Sequence, residues 1–405
     1  MKILIVSSSI PFPPLGGGQL RTYHLARALA VVHDVTLVGF AFESWDQREV
    51  DRAAQSVRVV GVPWCWPRLY RQMTDTDELA AASATEILAD DGHEPWFVSF
   101  YESPRMEEEL QHLAQEGFDL IVFEGTDMAR FLPLFTQECA KILDFMDVHS
   151  QMEMRATANK VGGDLIRARR ELERTLRFER KMAQQCALCL TCSEPEAVAA
   201  QTLLQVERVA VVPNGVDTRY FRPAHRPHNG DPTIVFTGMM NYPPNIEAVQ
   251  HFARNILPRV SEALPDIKFH IVGASSVPQV KSLASERIIV RGPVADMRPY
   301  LAAAEVVVVP IMSGGGTRLK VLEAAASGKA IVSTSLGCEG LDFRTPQDLV
   351  VADSAQAFAN AVIAVATDEP MRRQLECNAR QASLAYDWQK IGESLMSTLG
   401  ALVAG

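Results

Sequence analysis

At 405 residues the chain is longer than one hydrophobic core usually supports, so two or more domains are expected. Its 47% hydrophobic and 22% charged residues are those of an ordinary globular protein and exclude a disordered one. A net charge of −10 with no long run of Lys or Arg argues against nucleic acid as a partner, and no apolar run approaches the ~18 to 20 residues of a membrane span.

The opening segment, Met1-Lys-Ile-Leu-Ile-Val6, reads as a β-strand. It is too short for a signal peptide and runs into serines and prolines without a cleavage pattern. A cytoplasmic protein is expected, with peripheral contact at the inner face of a membrane left open. The turn after this strand ends in Gly16, Gly17 and Gly18 and enters a helix at about Gln19. Three glycines at a helix N-terminus offer backbone N–H groups to an anion. Further strands are predicted over 34–39, 57–62, 120–124, 141–144, 188–192 and 209–212, with helices over 19–31, 103–116 and 164–185.

Several polar residues along this half are candidates for chemistry. Asp75-Thr-Asp77 has metal-bridging spacing, but its polar surroundings read as a solvated helix entry, and no metal is predicted. Glu124 ends one strand and is a weaker candidate for facing a cleft. Asp147 and His149 follow the next strand, where a His can orient a hydroxyl or stabilise an oxyanion. Seven basic residues crowd 167–181 and alternate with Glu171, Glu173 and Glu179, the pattern of a solvated, salt-bridged helix. Seven scattered cysteines suit a reducing compartment. Cys186, Cys189 and Cys192 sit in a strand-like run and read as small buried residues rather than cluster ligands.

The segment 221–232 is polar and proline-rich, and reads as a linker. Beyond it strands are predicted over 233–237, 267–272, 287–291, 305–310, 330–333 and 349–351, with helices such as 246–257 and 354–366. Two runs of alternating β and α predict an α/β protein of two Rossmann-like, doubly wound parallel-sheet domains. Ligands in such sheets lie outside the carboxyl ends of the strands, and a substrate is expected in a cleft between the two domains. Gly238 and Gly273 each follow a strand there.

Ser313-Gly-Gly-Gly-Thr-Arg-Leu-Lys-Val-Leu-Glu323 is the most informative stretch. It follows the strand 305–310 and opens a helix expected over 317–327. The glycine turn and the helix N-terminus favour a phosphate. Thr317, Lys320 and Glu323 are spaced three apart on one face, which suits a nucleoside diphosphate: Lys320 for phosphate, Glu323 for ribose hydroxyls. The dinucleotide fingerprint G-x-G-x-x-G after the first strand, the P-loop, G-x-S-x-G and H-E-x-x-H are all absent, against an NAD dehydrogenase, a P-loop NTPase, an α/β-hydrolase and a zincin.

Taken together, these motifs resemble a GT-B glycosyltransferase of the family-4 retaining group, over nearly the whole length. Val212-Pro-Asn-Gly-Val-Asp217 with Tyr220-Phe-Arg-Pro223 is similar to the hallmark that precedes the linker. Phe236-Thr-Gly-Met-Met-Asn-Tyr-Pro-Pro-Asn-Ile-Glu-Ala248 resembles the opening of the donor domain in a subgroup often encoded with exopolysaccharide pathways. The segments 314–329 and 333–341 resemble the donor-site helix and the turn after it. Asp387-Trp388 resembles the start of a closing helix that crosses back to the first domain.

The resemblance implies an N-terminal acceptor domain over 1–222, a C-terminal donor domain over 223–385 and a closing helix over 386–405. It implies donor contacts from Gly16, Gly17, Gly18, Gly238, Asn245, Gly273, Gly292, Val294, Gly315, Gly316, Thr317 and Glu323. The segment around Gly292 and Val294 would hold the base and the turn 315–318 the diphosphate, with Lys320 or Arg318 as the phosphate cation. His149 would face the transferred sugar. Glu323 matches the second Glu of the family's E-x7-E motif, whereas the first falls at Gly315. The Arg and Lys that many relatives carry after the first donor-domain strand are replaced within 239–245, and His149 stands where near relatives often show Asp.

The function expected is metal-free hexosyl transfer, with retention, from a nucleotide-diphosphate sugar to a glycan or lipid-linked acceptor. Gly315 keeps a nucleotide-sugar-binding pseudoenzyme in view, and the scaffold also suits a UDP-sugar epimerase.

Overall fold

The computed structural model describes residues 1–12, 14, 16–42, 48, 50, 52, 56–64, 94–158, 160–224, 232–274 and 277–404. The Asp75-Thr-Asp77 triplet and residues 225–231 of the proline-rich segment lie outside the described residues. The chain divides into two units, Met1–Pro213 with Ile391–Gly405, and Asn214–Lys390. The division therefore falls ahead of the polar segment at 221–232.

The first unit contains β1 (Lys2–Ser7), α1 (Gly17–Leu29), β2 (Asp34–Ala41), β3 (Arg58–Pro63), α2 (Trp96–Ser99), α3 (Pro104–Ala114), β4 (Leu120–Glu124), β5 (Ala140–Asp144), α4 (His149–Thr157), α5 (Gly162–Ala183), β6 (Leu188–Thr191), α6 (Glu194–Leu204) and β7 (Val209–Val211). Its seven strands pair in parallel in the order β3-β2-β1-β4-β5-β6-β7. The sequence reason is visible in β4, where every residue of Leu120-Ile-Val-Phe-Glu124 is buried. A strand covered on both faces needs such an unbroken apolar run. α3 starts where local chemistry tells it to: the Ser103 hydroxyl accepts the Met106 N–H at 3.3 Å, and Pro104 fills a first-turn position that needs no donor.

The second unit contains β8 (Thr233–Thr237), α7 (Pro243–His251), α8 (Leu257–Ala263), β9 (Lys268–Val272), α9 (Pro278–Lys281), β10 (Ile288–Arg291), α10 (Arg298–Ala303), β11 (Val306–Val309), α11 (Leu319–Ala326), β12 (Ile331–Ser333), β13 (Val350–Val351), α12 (Ala355–Thr367) and α13 (Glu369–Ser383). Its six strands are also parallel, in the order β10-β9-β8-β11-β12-β13. The doubly wound α/β architecture expected from the sequence is thus present twice. The helix expected over 246–257 starts earlier, at Pro243, because prolines suit the first turn; it passes into a π-helical turn over Phe252–Ile256. No helix among the described residues is long and apolar enough to cross a membrane.

The final helix, α14 (Trp388–Ala404), belongs to the first unit from Ile391 onward. A Cβ on its Gly392 would lie 2.6 Å from the Ala28 methyl of α1, so the two helices meet at backbone distance. Just before it, Val216 and Asp387 form a parallel bridge, and the Thr218 N–H donates to the Asp387 carboxylate at 3.3 Å. Residues 216–218 and the Asp387-Trp388 segment therefore act on each other within the second unit. A Cβ on Gly215 would stand 2.6 Å from the Trp388 ring and 2.9 Å from the Tyr386 carbonyl oxygen. Gly215→Ala is expected to destabilise the second unit by about 1–3 kcal/mol, the usual range for overpacking. A thermal melt checks it, and an unchanged midpoint would mean that Trp388 moves away freely.

Candidate nucleotide and sugar site

In the second unit the expected donor residues gather at the carboxyl ends of adjacent strands. Gly238 follows β8, Gly273 follows β9, Gly292 and Val294 follow β10, and the turn at 313–318 follows β11. The strand order reverses between β8 and β11, which is where open parallel sheets leave a crevice. Gly273 is a glycine because of crowding: a Cβ there would lie 1.8 Å from the Gly238 carbonyl oxygen. Its φ of +149° is equally rare for any other residue.

Lys320 is the focus of this edge. Its Nζ donates to Asn245 Oδ1 at 2.6 Å and lies 4.1 Å from the centre of the Phe236 ring. Asn245 is itself buried and anchored, since its Nδ2 donates to the Met239 carbonyl at 2.9 Å. A Cβ on Gly238 would approach Lys320 Nζ to 3.1 Å, so the absence of a side chain there admits the ammonium. Burial pushes the Lys320 ammonium down to about 7, helped by neighbouring Arg318 and opposed by Glu323. Burial likewise pushes the Glu323 carboxyl up to about 7, against the pull of Lys320. Each group is thus held near its midpoint at neutral pH, ready to be set by a ligand's charge.

The helix that carries them begins later than expected, at Leu319 rather than Thr317. Gly314 and Gly316 adopt left-handed conformations with φ of +90° and +73°, and Arg318 is extended with φ −81° and ψ +90°. Thr317 therefore lies in the turn, and only Lys320 and Glu323 share the face of α11. Arg318 folds back on its own turn: Nη1 donates to the Gly315 carbonyl, and Nη2 to the Ser313 carbonyl at 3.3 Å. The Ser313 hydroxyl donates to Glu247 at 2.5 Å. Gly315 and Gly316 are half-buried in this turn. Gly292 and Val294 stand further along the edge, with β9 and β8 between their strand and β11.

In the first unit, Gly16 precedes α1 and Gly17 and Gly18 form its first turn, with no side-chain cap from Gly16. A Cβ on Gly18 would be 3.5 Å from the Met146 sulfur, so the glycine loop adjoins the turn after β5. That turn holds Met146 in a left-handed conformation, φ +57°, with its N–H donated to Asp144 Oδ1 at 3.2 Å. His149 opens α4. Its ring stacks on Phe97 at 4.1 Å between centres and 10° between planes. Burial drives its imidazole down to about 4, so at neutral pH it is an uncharged hydrogen-bonding group. Asp147, only two residues away, belongs to a different group of side chains with Cys192 and Glu196.

Two features carry no signal in sequence spacing. Arg21, 1% exposed, makes a two-pronged ion pair with Asp144: Nε to Oδ2 at 2.8 Å and Nη2 to Oδ1 at 3.1 Å. Its Nη1 also donates to the carbonyls of Val212 and Pro213 at 2.7 and 3.3 Å. Glu124 is buried in the same neighbourhood rather than facing solvent, and burial pushes its carboxyl up to about 8. One guanidinium thus serves one carboxylate, while the other acid keeps its proton. The second feature is Glu179, fully buried on α5 and hydrogen-bonded to the start of α4. The Arg-rich helix itself is salt-bridged, with Arg167 on Asp164 and Arg174 on Glu171. Cys189 and Cys192 are buried, and Cys192 donates to Met146 O and Glu196 at 2.9 Å each.

The match to sucrose-phosphate synthase from Thermosynechococcus elongatus covers 100% of this chain and 99% of that one, with a TM-score of 0.71 at 17% identity. Anabaena HepE in complex with UDP and glucose superposes over 99% of both chains, with a TM-score of 0.69 at 15% identity. Residues 231–368, which contain the Lys320 site, match the family model of glycosyl transferases group 1. The fold is that of the GT-B glycosyltransferases. Among the similar GT-B and glycosyltransferase sequences, the phosphatidyl-myo-inositol mannosyltransferase of Mycobacterium tuberculosis is 28% identical over 200 residues, 46% of this chain and 52% of that protein. The chain thus spans about half the length of the curated relatives it matches first. A phosphatidylinositol N-acetylglucosaminyltransferase component of Arabidopsis thaliana is 23% identical over 97% of this chain and 80% of its own length.

The buried Arg21–Asp144 pair yields a stability test. Arg21→Met strands Asp144 in an apolar interior, and breaking such a pair costs about 3–5 kcal/mol. Urea denaturation should show that loss, and a loss below about 1 kcal/mol would mean that water reaches Asp144.

Proposed function

We propose that this GT-B chain moves a hexosyl group from a nucleoside diphosphate sugar to a glycan or lipid-linked acceptor, with retention at the anomeric carbon and without a metal. The second unit would hold the donor and the first the acceptor. The observation that carries this reading is the half-buried Lys320, held by Asn245 and Phe236 beside Glu323 at the carboxyl edge of a parallel sheet. The names of the similar proteins support the substrate classes: HepE was solved with UDP and with UDP-glucose, and two similar proteins are named for glycosylating phosphatidylinositols. UDP-glucose is therefore the first donor to test.

In the proposed reaction the bond from the anomeric carbon to the diphosphate oxygen breaks, one to an acceptor hydroxyl oxygen forms, and the hydroxyl proton passes to the departing diphosphate. Negative charge grows on the departing diphosphate. Lys320, protonated by that charge, would stabilise it together with the N–H groups of the glycine turn. Glu323 would accept hydrogen bonds from the ribose hydroxyls. Gly238, Gly273, Gly292 and Val294 would line the approach of the nucleoside. Arg318 would hold the 313–316 turn in shape. Gly16, Gly17 and Gly18 would offer N–H groups to the donor from the first unit, and a neutral His149 would orient a sugar hydroxyl.

Gly315 favours a second reading, a protein that binds the nucleotide sugar and transfers nothing, because the family's first Glu is missing there. Release of UDP from UDP-glucose with a crude glycolipid acceptor separates the two. Turnover supports transfer, whereas tight binding without turnover supports the second.

Two predictions address the site itself. Glu323→Ala is expected to weaken donor binding by about 1.5–3 kcal/mol, roughly 10- to 150-fold, as charge-assisted hydrogen bonds are lost. Calorimetry reads this directly, and unchanged affinity would sink the ribose assignment. The second concerns pH. Lys320, at about 7 in the free protein, must be protonated to meet a diphosphate. Affinity for UDP-glucose should therefore fall as pH rises from 7 to 9, by at most about tenfold per unit, and Lys320→Arg should flatten the fall. A flat profile in the unmodified chain would remove Lys320 from the phosphate site.

A further inference from the structure

The first turn of α4 presents His149, yet its own cap residue, Val148, offers no side-chain acceptor. The acceptor comes instead from another helix. Glu179 of α5 is 0% exposed. Its Oε1 accepts the His149 N–H and the Thr126 hydroxyl, both at 3.0 Å, and its Oε2 accepts the Ser150 N–H at 3.2 Å. A carboxylate at a helix N-terminus meets both the free N–H groups and the positive end of the helix dipole.

We propose that Glu179 is the positioning residue for His149: it fixes the backbone of that residue from below while Phe97 fixes the ring. The proposal rests on the reading that His149 faces the transferred sugar. Three constraints meet at this one residue. The turn before it is set by Asp144 and Cys192, which bind the N–H and carbonyl of Met146. The stack on Phe97, 4.1 Å away, orients the imidazole plane. Glu179 supplies the third and takes the two leading N–H groups of α4. Those groups are therefore engaged by the protein's own carboxylate, and His149 acts through its ring alone. Glu179 itself touches neither donor nor acceptor.

Glu179→Gln keeps the size of the side chain but replaces one acceptor with a donor that faces backbone N–H groups. Release of UDP from UDP-glucose should fall at least about tenfold in kcat, with the calorimetric affinity for UDP unchanged. In a His149→Ala background the same change should cost almost nothing more, because Glu179 acts through His149. An equal loss in both backgrounds would overturn the proposal, since the effect would then be general. A chain that binds UDP but shows no turnover would refute transfer and not this proposal, because a second readout remains. The His149 imidazole, followed by NMR and assigned with His149→Ala, should titrate closer to the ordinary ~6.5 in Glu179→Gln as its buried stack loosens. An unmoved titration would overturn the proposal. Should Glu179→Gln fail to fold, Glu179→Asp keeps the carboxyl group while drawing the oxygens back, and the same NMR readout decides.

Discussion

The arrangement depends on holding a lysine ammonium in a half-buried position where an amide oxygen and an aromatic face take the place of a close carboxylate. Lys320 has Asn245 and Phe236 for these roles, and its acidic neighbour Glu323 is itself pushed toward neutrality. Burying an uncompensated cation is costly, and proteins normally relieve it with a close carboxylate or with water. Here an anionic ligand would complete the relief. The surrounding residues follow from that constraint: Gly238 leaves room for the ammonium, Gly273 leaves room for Gly238, and Asn245 is anchored so that its oxygen stays in place.

The first unit solves the opposite problem. Arg21 and Asp144 are fully compensated inside the sheet's edge, and Glu124 keeps a proton in the same neighbourhood. That pair ties α1, which carries the glycine loop, to the end of β5, which leads to His149. A rigid platform for one set of groups therefore stands in one unit, and a poised cation stands in the other. Burying charge stabilises only where the partners are complete; where they are incomplete, the group is free to answer a ligand's charge.

Much of this is legible in the sequence because parallel strands covered on both faces must be continuously apolar. The strands 2–7, 120–124 and 233–237 are built on apolar runs and extend no more than one polar residue beyond them at either end. The glycine turn before α11 is legible for a similar reason, since few residues other than glycine tolerate φ near +90°. What sequence spacing does not carry are the long-range partners. Arg21 meets Asp144 across 123 residues, and Glu179 meets His149 across 30. Nothing in a run of Arg and Glu along α5 marks Glu171 and Glu179 as the ones that turn inward. The late start of α11 escapes spacing and helix propensity, which ignore the extended backbone at Arg318. Glu124 reads as a cleft residue because strand ends usually are exposed, and tertiary packing overrides that expectation.

The most direct measurement is a crystal structure of the chain with UDP bound. The expected result is a β-phosphate oxygen within about 3.2 Å of Lys320 Nζ and the ribose hydroxyls on the Glu323 carboxylate. UDP bound elsewhere, with Lys320 still held only by Asn245, would contradict the assignment of this edge as the donor site.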